Sequence, residues 1–152
     1  MKNTRILVTV GTSSFDNLLM AIDSISLDGF SFDVQTGSSS YNVINHNSFK
    51  WANKLSDLYS DYDLVITHAG AGTIYNLLER GVRFISVPNL ERVDKHQDDI
   101  CKFIEKNNYS LVCYNLCDLY NMIASYDFEK FEFNSYKKND FFKVDEILDE
   151  IK

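Results

Sequence analysis

The chain has 152 residues, 45% of them hydrophobic and 24% charged, with a net charge of −7. That composition fits one domain with its own core and excludes a disordered or membrane-spanning chain. The acidic balance, with an isoelectric point near 4.8, argues against nucleic acid as a partner and against broad adhesion to an anionic bilayer.

The start, MKNTRILVTVG, holds Lys2 and Arg5, but its apolar stretch is too short for a signal peptide. No run approaches the ~20 apolar residues of a spanning helix. Ile6 to Val10 is a short β-rich run ending at Gly11. Phe15, Leu18, Leu19, Ile22 and Ile25 follow at helical spacing, and Asp28-Gly29 marks a turn. Phe32, Val34 and Thr36 alternate as a strand, closed by Gly37 and three serines. Val43-Ile44 offers another short strand, and Trp51, Leu55, Leu58 and Tyr59 suggest a second helix. Leu64-Val65-Ile66 is the clearest buried strand. A helix begins at Ile74, Leu77 and Leu78 and ends at Gly81. Phe84, Ile85 and Val87 form the next strand, stopped by Pro88-Asn89. A helix with Ile100, Phe103 and Ile104, a strand at Leu111-Val112 and a helix with Leu116, Leu119, Tyr120 and Ile123 complete the series.

This alternation predicts right-handed βαβ crossovers: an α/β, Rossmann-like, mainly parallel sheet with helices on both faces. Residues 127 to 143 interleave aromatics with charges and show no clean period, so an irregular segment is expected there. Val144, Ile147, Leu148 and Ile151 predict a short acidic C-terminal helix. One domain, residues 1–152, is expected. Cys101, Cys113 and Cys117 are odd in number without a CxxC pair and read as reduced structural thiols. The three histidines are scattered, so no metal site is expected.

Ligands of open parallel sheets bind beyond the carboxyl ends of the strands. Three loops should open there. One is Gly11-Thr12-Ser13-Ser14, the next His68-Ala69-Gly70-Ala71-Gly72-Thr73, and the third runs from Pro88-Asn89 to His96-Gln97. Gly70 and Gly72 let backbone amides approach a ligand, Thr73 is placed to cap the helix, and the positive helix end favours a diphosphate. A tight β–α turn that binds nothing has the same signature. Gly11 to Ser14 supply hydroxyls and amides for phosphate oxygens, or plain capping by Ser13 or Ser14. His96 and Gln97 suit either sugar hydroxyls or a solvated loop. His68 reads as an orienting or packing residue, with a base as the other option. Neither the GxxxxGK[ST] nor the GxGxxG spacing is present, which disfavours nicotinamide chemistry.

The run DLVITHAGAGTIYNLLERGVRFISVPNLERVDKHQDDI, with the opening VTVGTSSFDNLL, resembles the C-terminal nucleotide-sugar-binding domain of glycosyltransferase family 28. That family has GT-B architecture, two such domains with the active site between them. The chain looks most like its split members, in which the two halves are separate chains. These include the soluble subunit of the eukaryotic transferase acting on dolichol-linked sugar and bacterial capsule and exopolysaccharide counterparts.

The resemblance implies that Gly11, Thr12 and Ser13 face the diphosphate or sugar. It implies that Gly70, Ala71, Gly72 and Thr73 hold the α-phosphate side, with His68 and Asn89 beside the UDP-sugar. His96 and Gln97 would touch the donor sugar, and Phe49 to Trp51 would lie by the uracil. Asn76 stands where members often carry an acidic residue for the ribose hydroxyls, which removes a charge-assisted bond. Arg83 stands where proline is common and is expected to be structural.

The function implied is the donor-binding subunit of a two-component inverting hexosyltransferase. It would move a hexose or N-acetylhexosamine from a UDP-sugar to a lipid-diphosphate-linked saccharide in capsule, exopolysaccharide or O-antigen synthesis. No cofactor is obligatory. A membrane-anchored partner with the N-terminal GT-B half would supply the acceptor site and general base, and recruit this cytoplasmic chain to the membrane's cytoplasmic face. Two other readings are a non-catalytic enhancer of a separate transferase and a UDP-sugar epimerase working alone.

Overall fold

The computed structural model describes residues 3–90 and 96–136. Six strands form one sheet in the order β3-β2-β1-β4-β5-β6. They are β1 (Thr4–Thr9), β2 (Phe30–Gln35), β3 (Asn47–Phe49), β4 (Leu64–His68), β5 (Phe84–Val87) and β6 (Leu111–Val112). Every pairing is parallel. The crossovers carry α1 (Asp16–Asp23), α2 (Ala71–Glu79) and α3 (His96–Lys106), and α4 (Leu119–Ala124) follows β6. This is the doubly wound order, with its switch point between β1 and β4.

A strand buried on both sides loses the polar alternation of an exposed one. In β1, Ile6 and Val8 face α1 and α4, while Leu7 faces the opposite layer with Ile74, Leu77 and Ile100. Val65 and Ile66 in β4 divide the same way. Burying each such side chain contributes roughly 1.5–3 kcal/mol, which anchors the central strands and fixes where their carboxyl ends emerge. The buried Cys101 and Cys113 thiols are pushed up to about 12 and about 11, chiefly by desolvation, and stay protonated at neutral pH.

Three elements differ from the sequence expectation. Val43-Ile44 is not a strand; the edge strand is Asn47–Phe49. Asp23, at the end of α1, takes the amides of Ile44 and Asn45 on its carboxylate and leaves Ile44 exposed. Those donors are therefore turned away from a sheet ladder. The expected helix over 51–59 is a 3₁₀ turn, Leu55–Asp61, and Trp51 lies outside it, half exposed. Leu116–Asp118 is likewise a 3₁₀ turn leading into α4.

Within the expected aromatic segment, residues 131–136 carry no helix or strand. Phe128, Phe131 and Phe133 pack on the core, and Arg83 donates to the Phe131 carbonyl, a structural use of the residue in place of proline. The expected C-terminal helix lies outside the described residues. Among the described residues, no helix is long and apolar enough to cross a membrane.

Asp23 is 3% exposed and also accepts the Tyr41 hydroxyl at 2.6 Å. Burial raises its carboxyl pKa, but the bonds from Tyr41, Asn45 and Ile44 and the nearby His46 outweigh it and leave the group below its ordinary value. A lowered carboxyl stabilises the fold fully above its unfolded value, about 3.9, and loses that contribution as pH falls through the folded one. Asp23→Asn should therefore destabilise the domain at neutral pH by roughly 1–3 kcal/mol. In urea titrations repeated at falling pH, the gap to wild type should narrow below about pH 4; a gap that stays constant into strong acid contradicts this account.

Candidate functional site

The loops after β1 and β4 meet at the switch point. A Cβ built on Gly11 would stand 2.9 Å from His68 Cε1 and 3.7 Å from Thr73 Oγ1. One built on Gly70 would stand 2.3 Å from His68 Nε2. The His68 ring, 7% exposed, therefore fills the space between the two glycines. Its Nδ1 lies 3.3 Å from the Thr67 hydroxyl. These contacts make His68 the spacer that sets the two loops apart.

The first loop is shaped by Gln35, a residue the sequence reading passed over. Its side-chain oxygen accepts from the Thr9 hydroxyl at 2.6 Å and from the amides of Val10 at 3.0 Å and Gly11 at 3.1 Å. Its NH2 group donates to the Gly11 and Lys50 carbonyls. The serine stretch after β2 completes the brace: Ser38 donates to the carbonyls of Ser13 and Thr12, and the Ser39 hydroxyl accepts the Phe15 amide. Ser13 turns inward, its hydroxyl donating to Val10.

Neither expected serine caps α1, because Phe15 occupies the cap position. Thr73 does not cap α2 either. The helix starts earlier, at Ala71, with Gly70 as the cap residue and no side-chain hydrogen bond closing it. Three helices open on the carboxyl edge, and they are not equivalent. Asp16 in α1 and Asp98 and Asp99 in α3 place carboxylates in the first turn, whereas α2 has none. A first-turn carboxylate already neutralises the positive helix end. The α2 start is thus the one left to receive an outside anion.

A cleft of about 450 Å³ opens over that start. It gathers eight of the predicted residues: Gly11, Thr12, His68, Gly70, Ala71, Gly72, Thr73 and Asn76. Leu55, Ser56 and Tyr59 of the 3₁₀ turn line its side, unforeseen because no motif marks them.

Ser13, Asn89, His96 and Gln97 are not part of the cleft wall. The buried Gln97 accepts the Asn89 amide at 2.9 Å, which ties α3 to the end of β5, and His96 is exposed at the start of α3. Asn89 donates weakly to the Ser14 carbonyl at 3.5 Å, and its side-chain oxygen has no hydrogen-bond partner among the described residues. Trp51 lies beyond the end of β3, on the same edge as the cleft but outside its lining.

Two larger hollows, about 820 and 620 Å³, surround Arg80–Arg83 between α2 and β5, at the amino ends of the strands. Size favours them, but neither is lined by a helix start or a strand's carboxyl end. The smaller cleft is therefore the candidate site. Among the described residues, no cluster of His, Cys, Asp and Glu is arranged to hold a metal ion.

A doubly wound parallel sheet with an uncapped, glycine-flanked helix start at its switch point defines a Rossmann-like α/β domain. The chain belongs to the glycosyltransferase family 28 C-terminal domain family, whose model matches residues 5–119. Its fold is that of the Rossmann-like C-terminal half of GT-B glycosyltransferases. It is similar to MurG of Acinetobacter baumannii, with a TM-score of 0.63 at 20% identity over 82% of this chain and 41% of that one. A solution structure of ALG13 aligns over 90% of both chains, with a TM-score of 0.60 at 18% identity. In sequence it is 29% identical over 122 residues to the human UDP-N-acetylglucosamine transferase subunit ALG13. That match covers 71% of this chain and 11% of the human protein. The mouse subunit is 28% identical, with 72% of this chain and 10% of that protein covered.

Two contrasts test this construction. Gln35→Leu strands the Val10 amide and the Gly11 carbonyl and should cost about 3 kcal/mol in urea unfolding, with the Gly11 amide resonance displaced. Gly70→Ala forces the enclosed His68 ring to move and should cost on the order of 1–3 kcal/mol. A Cβ at Gly72 meets nothing within 4 Å. Gly72→Ala should thus be neutral or stabilising by up to about 1 kcal/mol. Equal losses at Gly70 and Gly72 would contradict the placement of His68.

Proposed function

We propose that this chain binds a UDP-sugar in the switch-point cleft as the donor half of a two-component inverting glycosyltransferase. The uncapped start of α2 carries the reading. It presents first-turn amides with no carboxylate nearby, beside a second loop whose backbone Gln35 holds in place. The diphosphate sits against Ala71, Gly72 and Thr73, and Thr12 closes from the facing loop. As the glycosidic bond to UDP breaks, negative charge grows on the leaving diphosphate, and fixed amides stabilise it without reorganising. No metal is required for that step.

A separate subunit supplies the acceptor wall and the base that deprotonates the acceptor hydroxyl. His68 is walled in between Gly11 and Gly70 and serves as a spacer in this scheme. The carboxyl edge favours such a cover. Trp51, Leu90 and Tyr114 follow the ends of β3, β5 and β6, and all three are exposed. Large side chains left exposed along one edge of a sheet suit a protein surface better than water. The acceptor proposed is a lipid-diphosphate-linked saccharide in capsular, exopolysaccharide or O-antigen assembly. The donor sugar is a hexose or N-acetylhexosamine. A membrane-anchored partner would hold this chain at the cytoplasmic face.

The enhancer reading draws on Asn76, which lacks the charge of an acidic ribose ligand. UDP titration decides between the two. Binding that strengthens with the partner, together with sugar transfer by the pair, supports the donor subunit. No heat with UDP, alone or with the partner, supports the enhancer.

Gly72→Val is the sharper probe. The position is open in the folded chain, so the valine leaves the fold intact while its side chain occupies the space claimed for phosphate. UDP affinity should fall at least about tenfold, equivalent to 1.4 kcal/mol, at a similar melting temperature. Unchanged affinity in the folded variant removes the helix-start site.

A further inference from the structure

Asn76 and Arg80 stand four residues apart on α2 and are joined twice. The Arg80 backbone amide donates to the Asn76 carbonyl at 3.1 Å. The Arg80 Nε donates to the Asn76 side-chain oxygen at 2.8 Å. A guanidinium has only donors, so this contact decides which way the carboxamide points. Its oxygen is taken by Arg80, which leaves the NH2 group as the part of the carboxamide available to a ligand in the cleft that Asn76 lines. Asn76 lines the candidate cleft, whereas Arg80 lines the adjoining hollow behind it, with Ser56 and Tyr59 shared by both. Arg80 thus acts on the cleft from outside.

The position along the helix matters as well. Gly72 and Asn76 share a face, and four residues of rise are ~6 Å. That is about the distance from a nucleotide's phosphorus to its ribose hydroxyls. With a diphosphate at the helix start, Asn76 meets the ribose.

We propose that Arg80 is a positioning residue for nucleotide recognition: by holding the Asn76 oxygen, it commits the Asn76 NH2 group to donate a hydrogen bond to a ribose hydroxyl oxygen. The inference rests on the UDP-sugar reading above. It assigns this site a polarity opposite to that of a carboxylate, which could only accept from the ribose. Arg80 is exposed and bonds an uncharged partner in Asn76. Its function here is orientation, and its contact with the nucleotide is indirect.

The experiment is a chemical-shift titration of the whole chain with UDP, 2′-deoxy-UDP and 3′-deoxy-UDP, at ligand concentrations into the millimolar range. Wild type should bind UDP roughly two- to tenfold more tightly than at least one deoxy analogue, the worth of one hydrogen bond. Arg80→Ala should keep its melting temperature, because the side chain is at the surface. It should weaken UDP by a similar factor and bring the UDP-to-deoxy ratio close to one. Arg80→Lys, which can still donate to the same oxygen, should restore part of the ratio. Asn76→Ala should match Arg80→Ala, and the double variant should be no worse than either alone. A purely structural Arg80 would alter stability or all three ligands equally and leave the ratio intact. The inference is overturned if the wild-type ratio persists in Arg80→Ala, or if wild type shows no preference for UDP over either analogue. A wild-type chain that shows no shifts with UDP, either alone or with its partner, fails earlier and differently, because that result strikes the UDP-sugar reading itself.

Discussion

One buried carboxamide ties the carboxyl edge together. Gln35 ends β2 at 2% exposure and uses both ends of its side chain, three bonds on the oxygen and two from the nitrogen. Four backbone groups of two different loops converge on it. Buried backbone groups without partners cost about 1–3 kcal/mol each, so the chain has little freedom to arrange the Gly11 loop otherwise. The loop in turn touches His68, and His68 touches Gly70. The sheet's switch point thus becomes a surface of fixed geometry through a short series of contacts: Gln35, Gly11, His68, Gly70. Fixed geometry is what an anion site requires, because dipoles that must first reorient stabilise charge less well than those already aimed.

Charge placement then selects among helix ends that look alike in outline. Three helices start at this edge, and in two of them the first turn carries its own carboxylates. Asp16 is also engaged elsewhere, accepting the amides of Ser40 and Tyr41, so it helps fasten the serine loop while removing α1 from competition for phosphate. The acidic chain as a whole repels anions, which makes the absence of a first-turn acid in α2 more consequential. An anion arriving here finds a local positive end on a negative body.

The central elements were legible in the sequence because burial on both faces writes continuous apolar runs. Leu64-Val65-Ile66 and Phe84-Ile85 have few other ways to hide. The glycine loop was legible as a β–α turn because GxG between a buried strand and a helical period marks one, whether or not it binds a ligand. The peripheral elements were not. Val43-Ile44 has strand-like side chains, but the competing acceptor, Asp23, lies on α1, far away in sequence. Gln35 was hidden by its own strand. Ser31, Asp33 and Gln35 alternate with Phe32 and Val34, so Gln35 reads as one more solvent-facing residue, yet it is buried where the loops cross. The caps were misjudged for a similar reason. Thr73 and Ser13 have the right chemistry, but the α2 cap falls earlier, at Gly70, and the α1 cap later, at Phe15, which leaves their hydroxyls elsewhere. Local propensity locates an element; its ends depend on partners that only the fold supplies.

The open cleft also explains why a site so well framed calls for a second wall. At an exposed helix end, an anion gains only about 0.3–1 kcal/mol from the dipole, because water screens it. The same amides act far more strongly once water is excluded, since the interaction grows as the local dielectric falls. This domain supplies the floor, from Gly70 to Thr73, and one side, from Leu55 to Tyr59. Nothing in the described residues roofs it. The carboxyl edge of the sheet instead carries Trp51, Leu90 and Tyr114, exposed to solvent after the ends of three strands. A surface that settles on those side chains would dry the cleft in the same movement, so docking and the strengthening of the phosphate site would be one event. Under the proposed donor-subunit reading the weakness of the isolated floor would be useful: UDP-sugar would be held firmly only with the acceptor half in place, and would not be activated toward hydrolysis beforehand.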